Sequence, residues 1–372
     1  MSNTATSTLS PDLGASRARL TAGDLGAVGR ADLVAVIESI STRASALDRG
    51  EADLRDDIAA LAELGLFDVD RTPVAAAATI IEAVATESLS VAFGAWAQRM
   101  TAAYLRHAAE RSVEAQRTYR AVADGTRPGV TGMAAAQRQA VGLGNVPITA
   151  TPVDGGYRID GPIAWASNVY PDSTIVLAVN TEDGRSLVLT FEASSPGVEI
   201  RNAPDLLALN ATASTMIGLD GVIVPDDQVL GEDLSDFLAE VRPQFLLLQS
   251  AFCSGVAARS VTESEGRLEG LGAFYSDEHS ELAGRHEHMH SELHRLAAAP
   301  GEAALSELLL LRLDGAEIAP AVTRLEAVLC GGMGYAQNAP ANRRMREAAF
   351  LPVQSPSQSQ LRWELDRLGV GA

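Results

Sequence analysis

From Asp24 to Ala123 apolar residues return every three or four positions, the period of a helix with one buried face. Asp53 to Leu64 is the clearest case, and Gly65 follows it as a natural C-terminal cap. Ala75 to Leu89 and Ala92 to Glu110 are alanine-rich and repeat the pattern. From about Pro128 to Gly231 the period changes. Alanine thins out, while Gly, Pro, Asp and β-branched residues rise. Pro147 to Val153 and Tyr157 to Gly161 flank Asp154-Gly155-Gly156, a hairpin turn signal. Ser173 to Asn180 and Ser186 to Glu192 read as buried strands around another turn, with Val198 to Ile200 and Leu219 to Val224 completing the set. From Leu234 onward the helical period returns. The runs are Phe245 to Leu268, Glu281 to Ala298, Ala303 to Ala316 and Ala321 to Cys330, the last ended by Gly331-Gly332.

These textures predict an α+β protein, mostly α, in three parts. Residues 21–126 form a helical domain, 127–232 an antiparallel β domain of six or seven short strands, and 233–372 a helical bundle. The Ser- and Thr-rich residues 1–20 are expected to be a disordered tail. They lack the basic start and apolar run of a secretory signal. No run of about 18 apolar residues is visible, so no membrane-spanning helix is expected.

Composition narrows the partners. With 47% apolar and 21% charged residues, a sizeable core is available. Acids outnumber bases 48 to 29, a net charge of −19, which repels nucleic acid and anionic membranes. Two cysteines, Cys253 and Cys330, suffice for neither a disulfide framework nor a four-thiolate metal site. A soluble cytoplasmic protein is the expectation.

Three motifs, in order, carry a resemblance. The run Asp154-Gly155-Gly156-Tyr157-Arg158-Ile159-Asp160-Gly161-Pro162-Ile163-Ala164-Trp165-Ala166-Ser167-Asn168 is similar to the hairpin of the acyl-CoA dehydrogenase superfamily. Leu209 to Gly231, with Val222-Ile223-Val224-Pro225 and Val229-Leu230-Gly231, resembles the passage that closes the family's β domain. Gly331-Gly332-Met333-Gly334-Tyr335, followed by Arg343 to Ala348, resembles its late glycine motif. The resemblance runs from about residue 50 to the end. It implies an N-terminal helical domain, a middle β domain and a C-terminal four-helix bundle. It also implies FAD (or FMN) as cofactor, a homo-oligomer (tetramer or dimer), and an electron-transfer partner or flavin reductase.

The resemblance further implies cofactor-binding roles. Trp165 would lie against the flavin ring, and Ser167 would hydrogen-bond its edge near N5. Thr131 would stand in the family's Thr-Glu-Pro position, and Ser357 would lie in the late cofactor segment. Gly331 and Gly332 would approach the nucleotide arm of a neighbouring subunit's flavin. Arg346 with Glu347 would be a structural ion pair.

The sequence also departs from the family. The position of the usual catalytic carboxylate is Ser355, and hydroxyls are weak bases without a partner. Glu240 is the nearest acid to the alternative position, on the first long bundle helix. Arg-x-Phe-Gly is not recognisable in 269–279, and Val328 replaces the Gln before the double glycine. The leading expectation is a flavin-dependent oxidoreductase acting on a small acyl-thioester-like substrate. The alternatives are a two-component monooxygenase using reduced flavin and O2, and a binding paralogue without chemistry.

Other constellations read as structural. His286, His290 and His294 fall four apart on one helix, but no third-segment ligand is apparent, so a solvated face and no metal are expected. Trp96 and Trp363 are expected in the core or at an interface. Gly142-x-Gly144 lacks a strand–helix context, and no Gly-x-Ser-x-Gly occurs.

Overall fold

The computed structural model describes residues 25, 26 and 28–371. The tail expected over 1–20 lies outside the described residues. Among the described residues five helices lead: α1 (Arg30–Asp48), α2 (Arg55–Glu63), α3 (Val74–Glu87), α4 (Leu89–Arg106) and α5 (Val113–Ala123). Eight strands follow, with α6 (Ala134–Ala140) after the first. The chain ends in α7 (Leu234–Glu265), α8 (Ser276–Ala298), α9 (Leu305–Leu329), α10 (Pro340–Ala348) and α11 (Gln358–Arg367). The mostly helical α+β expectation holds.

Helices α3 and α4 are buried almost all round, which explains their alanine content: small side chains let neighbouring backbones approach from every side. Ser88 separates them and caps α4, accepting a hydrogen bond from the Val91 N–H. Helix α3 packs on α7 and α8, while α4 packs on α5, α7 and the first strand. These two helices are thus the layer that joins the three parts.

The strands are β1 (Gly129–Gly132), β2 (Thr149–Val153), β3 (Gly156–Ala166), β4 (Thr174–Thr181), β5 (Ser186–Glu192), β6 (Val198–Ile200), β7 (Thr215–Pro225) and β8 (Val229–Gly231). Their order is β6-β7-β3-β2-β4-β5-β8, with β1 also paired to β4. The hairpin at Asp154-Gly155 forms as read, with Gly155 at φ +74. The sheet is mixed, however, and not purely antiparallel: β1 and β2 both pair parallel with β4. Helix α6 and the loop after it carry the chain from β1 to β2, a crossover that periodicity within a strand cannot reveal.

The bundle helices are longer than their apolar runs. Helix α7 starts eleven residues before Phe245 and passes through Pro243. Asp233 caps it by accepting from the N–H groups of Ser235 and Asp236. Helix α9 is one helix through Pro320, not the two runs expected, because both halves are held in the core. Helix α7 also corrects the membrane reading. It is long and apolar enough to cross a bilayer, but 89% of the relevant window is buried inside the fold, so it serves as a core helix.

Candidate functional site

Two adjoining cavities share Trp165 as a wall. The first encloses about 560 Å³ and the second about 650 Å³. Ala134, Val353 and Ser355 also border both. Trp165 is 55% exposed, a large apolar ring turned into open space. Its placement follows from β3. Register shifts between Ile163 and Ala166 break the regular pairing and re-aim the strand end. Asn168 then takes a left-handed turn at φ 61. Its buried Nδ2 donates to the carbonyls of Gly94 (3.0 Å) and Gly129 (3.3 Å), tying the turn to α4 and β1.

Aromatic rings form the inner wall of the first cavity. Phe93 and Trp96 stack at 5.4 Å, Phe350 meets Phe93 edge-on at 5.1 Å, and Phe245 meets Trp96 at 5.0 Å. All four line the cavity. Trp96 is a buried core residue, as expected, that also lines the first cavity, and Trp363 lines the second.

Ser167 and Ser214 line the same cavity and belong to a chain of hydroxyls that runs inward to the buried Thr212. Thr212 Oγ1 donates to the Leu209 carbonyl (2.7 Å). Each hydroxyl has one proton, so Ser214, 2.7 Å from Thr212, must donate to it. Ser167, 2.7 Å from Ser214, must in turn donate to Ser214. Ser167 is left facing the cavity with acceptor lone pairs. Thr131 lines the same cavity.

Ser355 borders both cavities, and its Oγ is buried without a hydrogen-bond partner among the described residues. The segment carrying it is fixed from below. Gln249 donates to the Ser355 carbonyl (3.0 Å) and accepts from Arg312 Nε (3.1 Å). Arg312 is fully buried and also donates to the Leu351 carbonyl (2.8 Å). Its pKa is lowered by desolvation. Arg346 lines the first cavity but pairs with Asp48 and donates to the Leu207 carbonyl (3.3 Å). The expected pair of Arg346 with Glu347 is thus corrected: Glu347 points inward and meets Arg343 at 3.2 Å. Burial raises the Glu347 pKa, against the pull of Arg343.

The sites expected from sequence separate. Thr131, Trp165, Ser167 and Ser355 come together at the first cavity. Ser357 borders the second, where it caps α11 by accepting from the Gln360 N–H, and Arg138 is the cation there. Gly331 and Gly332 lie on an exposed turn after α9, outside both cavities. Glu240 is also outside. It is 72% exposed and faces His107 at 3.5 Å, because five residues along a helix turn it well away from the face that Phe245 presents to the cavity. No Asp, Glu or His borders either cavity among the described residues.

The histidine reading is corrected. His286 is buried and the other two are half-buried, and α3 supplies the missing third group, Glu82, between His290 and His294. A lone acid within the apolar run Thr79 to Ala85 was the available signal. For the aromatic wall, the signal was Phe93 and Trp96 three apart in a chain with only 5% aromatics.

A flat tricyclic ring fits the first cavity at Trp165. It would meet an exposed aromatic face and the hydroxyls of Thr131, Ser167 and Ser214. A phosphate-bearing arm would find Arg138 and the N-terminus of α11 in the second cavity.

No protein-family model matches the chain. The chain is similar to the benzylmalonyl-CoA dehydrogenase of Aromatoleum aromaticum, 26% identical over 237 residues, covering 59% of this chain and 61% of that one. It thus spans about three fifths of the length of the curated relative it matches. Among solved structures, butyryl-CoA dehydrogenase from Megasphaera elsdenii superposes with a TM-score of 0.82 at 15% identity, over 96% of this chain and 98% of that one. A glutaryl-CoA dehydrogenase from Mycobacterium smegmatis in complex with FADH2 gives 0.78 at 13% identity, over 92% and 95%. The chain thus shares the fold of these acyl-CoA dehydrogenases.

Proposed function

We propose that the protein is a flavin-dependent oxidoreductase, with FAD held between the two cavities and a small, largely apolar substrate against the aromatic wall. The observation that carries this reading is Trp165, more than half exposed between a hydroxyl row and an aromatic wall. The FADH2 complex of a protein with this fold supports FAD as cofactor. Bound flavin would supply the capacity to accept or donate a hydride. Trp165 would stack on the ring, Thr131 and Ser167 would meet its polar edge, and Arg138 with Ser357 would meet the phosphates. The Phe93, Trp96, Phe245 and Phe350 wall would exclude water from the substrate side.

Dehydrogenation of an acyl-thioester is supported by the similarity to benzylmalonyl-CoA dehydrogenase. It requires removal of an α-proton, and neither cavity offers a carboxylate or imidazole among its described residues. That observation favours the second reading, a monooxygenase that receives reduced flavin from a reductase and needs a dry pocket instead of a strong base. The orientation of Ser167 agrees with it. An acceptor at the ring edge suits the N–H of a reduced ring better than the lone pair of an oxidised one.

Anaerobic titration with oxidised and reduced FAD tests both readings. Tight binding of oxidised FAD, with bleaching by acyl-CoA, supports the dehydrogenase. At least tenfold preference for reduced FAD supports the monooxygenase. Binding of neither form sinks the oxidoreductase proposal.

A further inference from the structure

Away from both cavities, one carboxylate and two imidazoles converge on a point between α3 and α8. Glu82 is fully buried. Its Oε1 lies 2.9 Å from His290 Nδ1, and its Oε2 lies 2.9 Å from His294 Nε2. One ligand atom from each residue can be chosen so that all three lie within 4.8 Å of one another. The two imidazoles stand one helical turn apart on α8, with ring centroids 4.5 Å apart and planes at 67°. His290 and His294 keep 29% and 27% of their side-chain surface exposed, so solvent reaches part of each ring while Glu82 is sealed behind them.

We propose that Glu82, His290 and His294 form a zinc site that staples α3 to α8. Two nitrogens and one carboxylate from two helices are a donor set suited to zinc, with water free to take the fourth position. Tetrahedral coordination with bonds near 2.0–2.1 Å places ligand atoms about 3.4 Å apart. The two 2.9 Å contacts run to different oxygens of Glu82, so they would open by roughly half an ångström while ligand atoms now as much as 4.8 Å apart close around the ion. The two nitrogens facing Glu82 then give their lone pairs to zinc, and each ring carries its proton on the other nitrogen. Any proton held on those two nitrogens must leave them when zinc binds.

A second shell is already in place. Ser254 of α7 donates to Glu82 Oε1, and His286 Nε2 lies 3.1 Å from Ser254 Oγ. This is the kind of support that orients a metal-bound carboxylate. Gly255, next to Ser254, holds α7 against α3 at the same level: a Cβ there would lie 2.1 Å from the Glu82 carbonyl oxygen. The carboxylate is thus fixed from behind, while the histidines come from the half-open side.

The test uses the full-length, tag-free protein stripped with EDTA and titrated with zinc chloride by calorimetry. Bound metal is counted by mass spectrometry after gel filtration. One zinc per chain is expected, together with a rise in thermal midpoint. His294→Ala and Glu82→Gln should abolish both effects. Ser254→Ala should weaken binding about 10- to 100-fold. His288→Ala, an exposed neighbour on the same helix, should bind zinc like the parent. Should Glu82→Gln fail to fold, the half-exposed His294→Ala decides. Absence of stoichiometric zinc in the parent protein overturns the proposal, as does unchanged affinity in a folded His290→Ala/His294→Ala variant. FAD titration of His294→Ala should match the parent, which separates this site from the flavin reading.

Discussion

Trp165 and Asp57 are residues whose surroundings set their behaviour. Trp165→Ala removes the aromatic face between the cavities. Flavin affinity should fall about tenfold or more while circular dichroism stays unchanged, since the ring is not part of the buried core. Unchanged affinity in a folded variant would show that the ring is not a flavin wall. Asp57 lies in α2, 3.5 Å from Arg43. Burial pushes its pKa up to about 6, against the pull of Arg43. An unfolded aspartate titrates near 3.9. The folded state therefore binds the proton more tightly, so this group's contribution to stability is present below about pH 4 and is lost as pH rises through about 6. The thermal midpoint of Asp57→Asn relative to the parent should climb across that window and level off above it. A variant less stable than the parent at pH 8 would mean that the pair with Arg43 outweighs the cost of burial.

At the scale of elements, the crossing of α3 and α7 holds the helical parts together. Gly255 lets the two backbones touch, and an added Cβ would also come within 2.7 Å of Ala85 Cβ. Gly255→Val should destabilise the protein by about 1–3 kcal/mol, read from denaturant midpoints, because neither neighbour is a flexible side-chain end. Both helices were legible from their apolar texture, but the crossing was not. A glycine inside a helical run looks like a weak point until the facing backbone is known. The same applies to Pro243 and Pro320: each argues locally for a break, and burial of α7 and α9 overrides that preference.

At the scale of the whole molecule, one end of the bundle exposes large apolar side chains. Leu271 and Phe274 are 85% and 86% exposed, and Met333 and Tyr335 are 74% and 84% exposed. The turn after α7 reaches the end of α9, where the glycine motif lies: a Cβ on Gly272 would be 3.4 Å from Leu329 Cδ2. Such a patch suits a second copy of the chain better than water. In light scattering, the parent protein should run above its 38.9 kDa chain mass, and Phe274→Glu/Tyr335→Glu should shift it toward the monomer. A monomeric parent would leave the patch without this role.

The sequence by itself determined the order of parts, because helical and strand periods reflect which faces each segment must bury. It also determined the hairpin leading to Trp165, because Asp154-Gly155 fits a tight turn whatever surrounds it. Tertiary structure alone decided which residues meet. The parallel pairing of β1 and β2 with β4, the aromatic wall from α4, α7 and the segment after α10, and the approach of Glu82 to histidines more than 200 positions away all join distant segments. Periodicity tells a residue which side is inside; only packing decides which neighbour waits there.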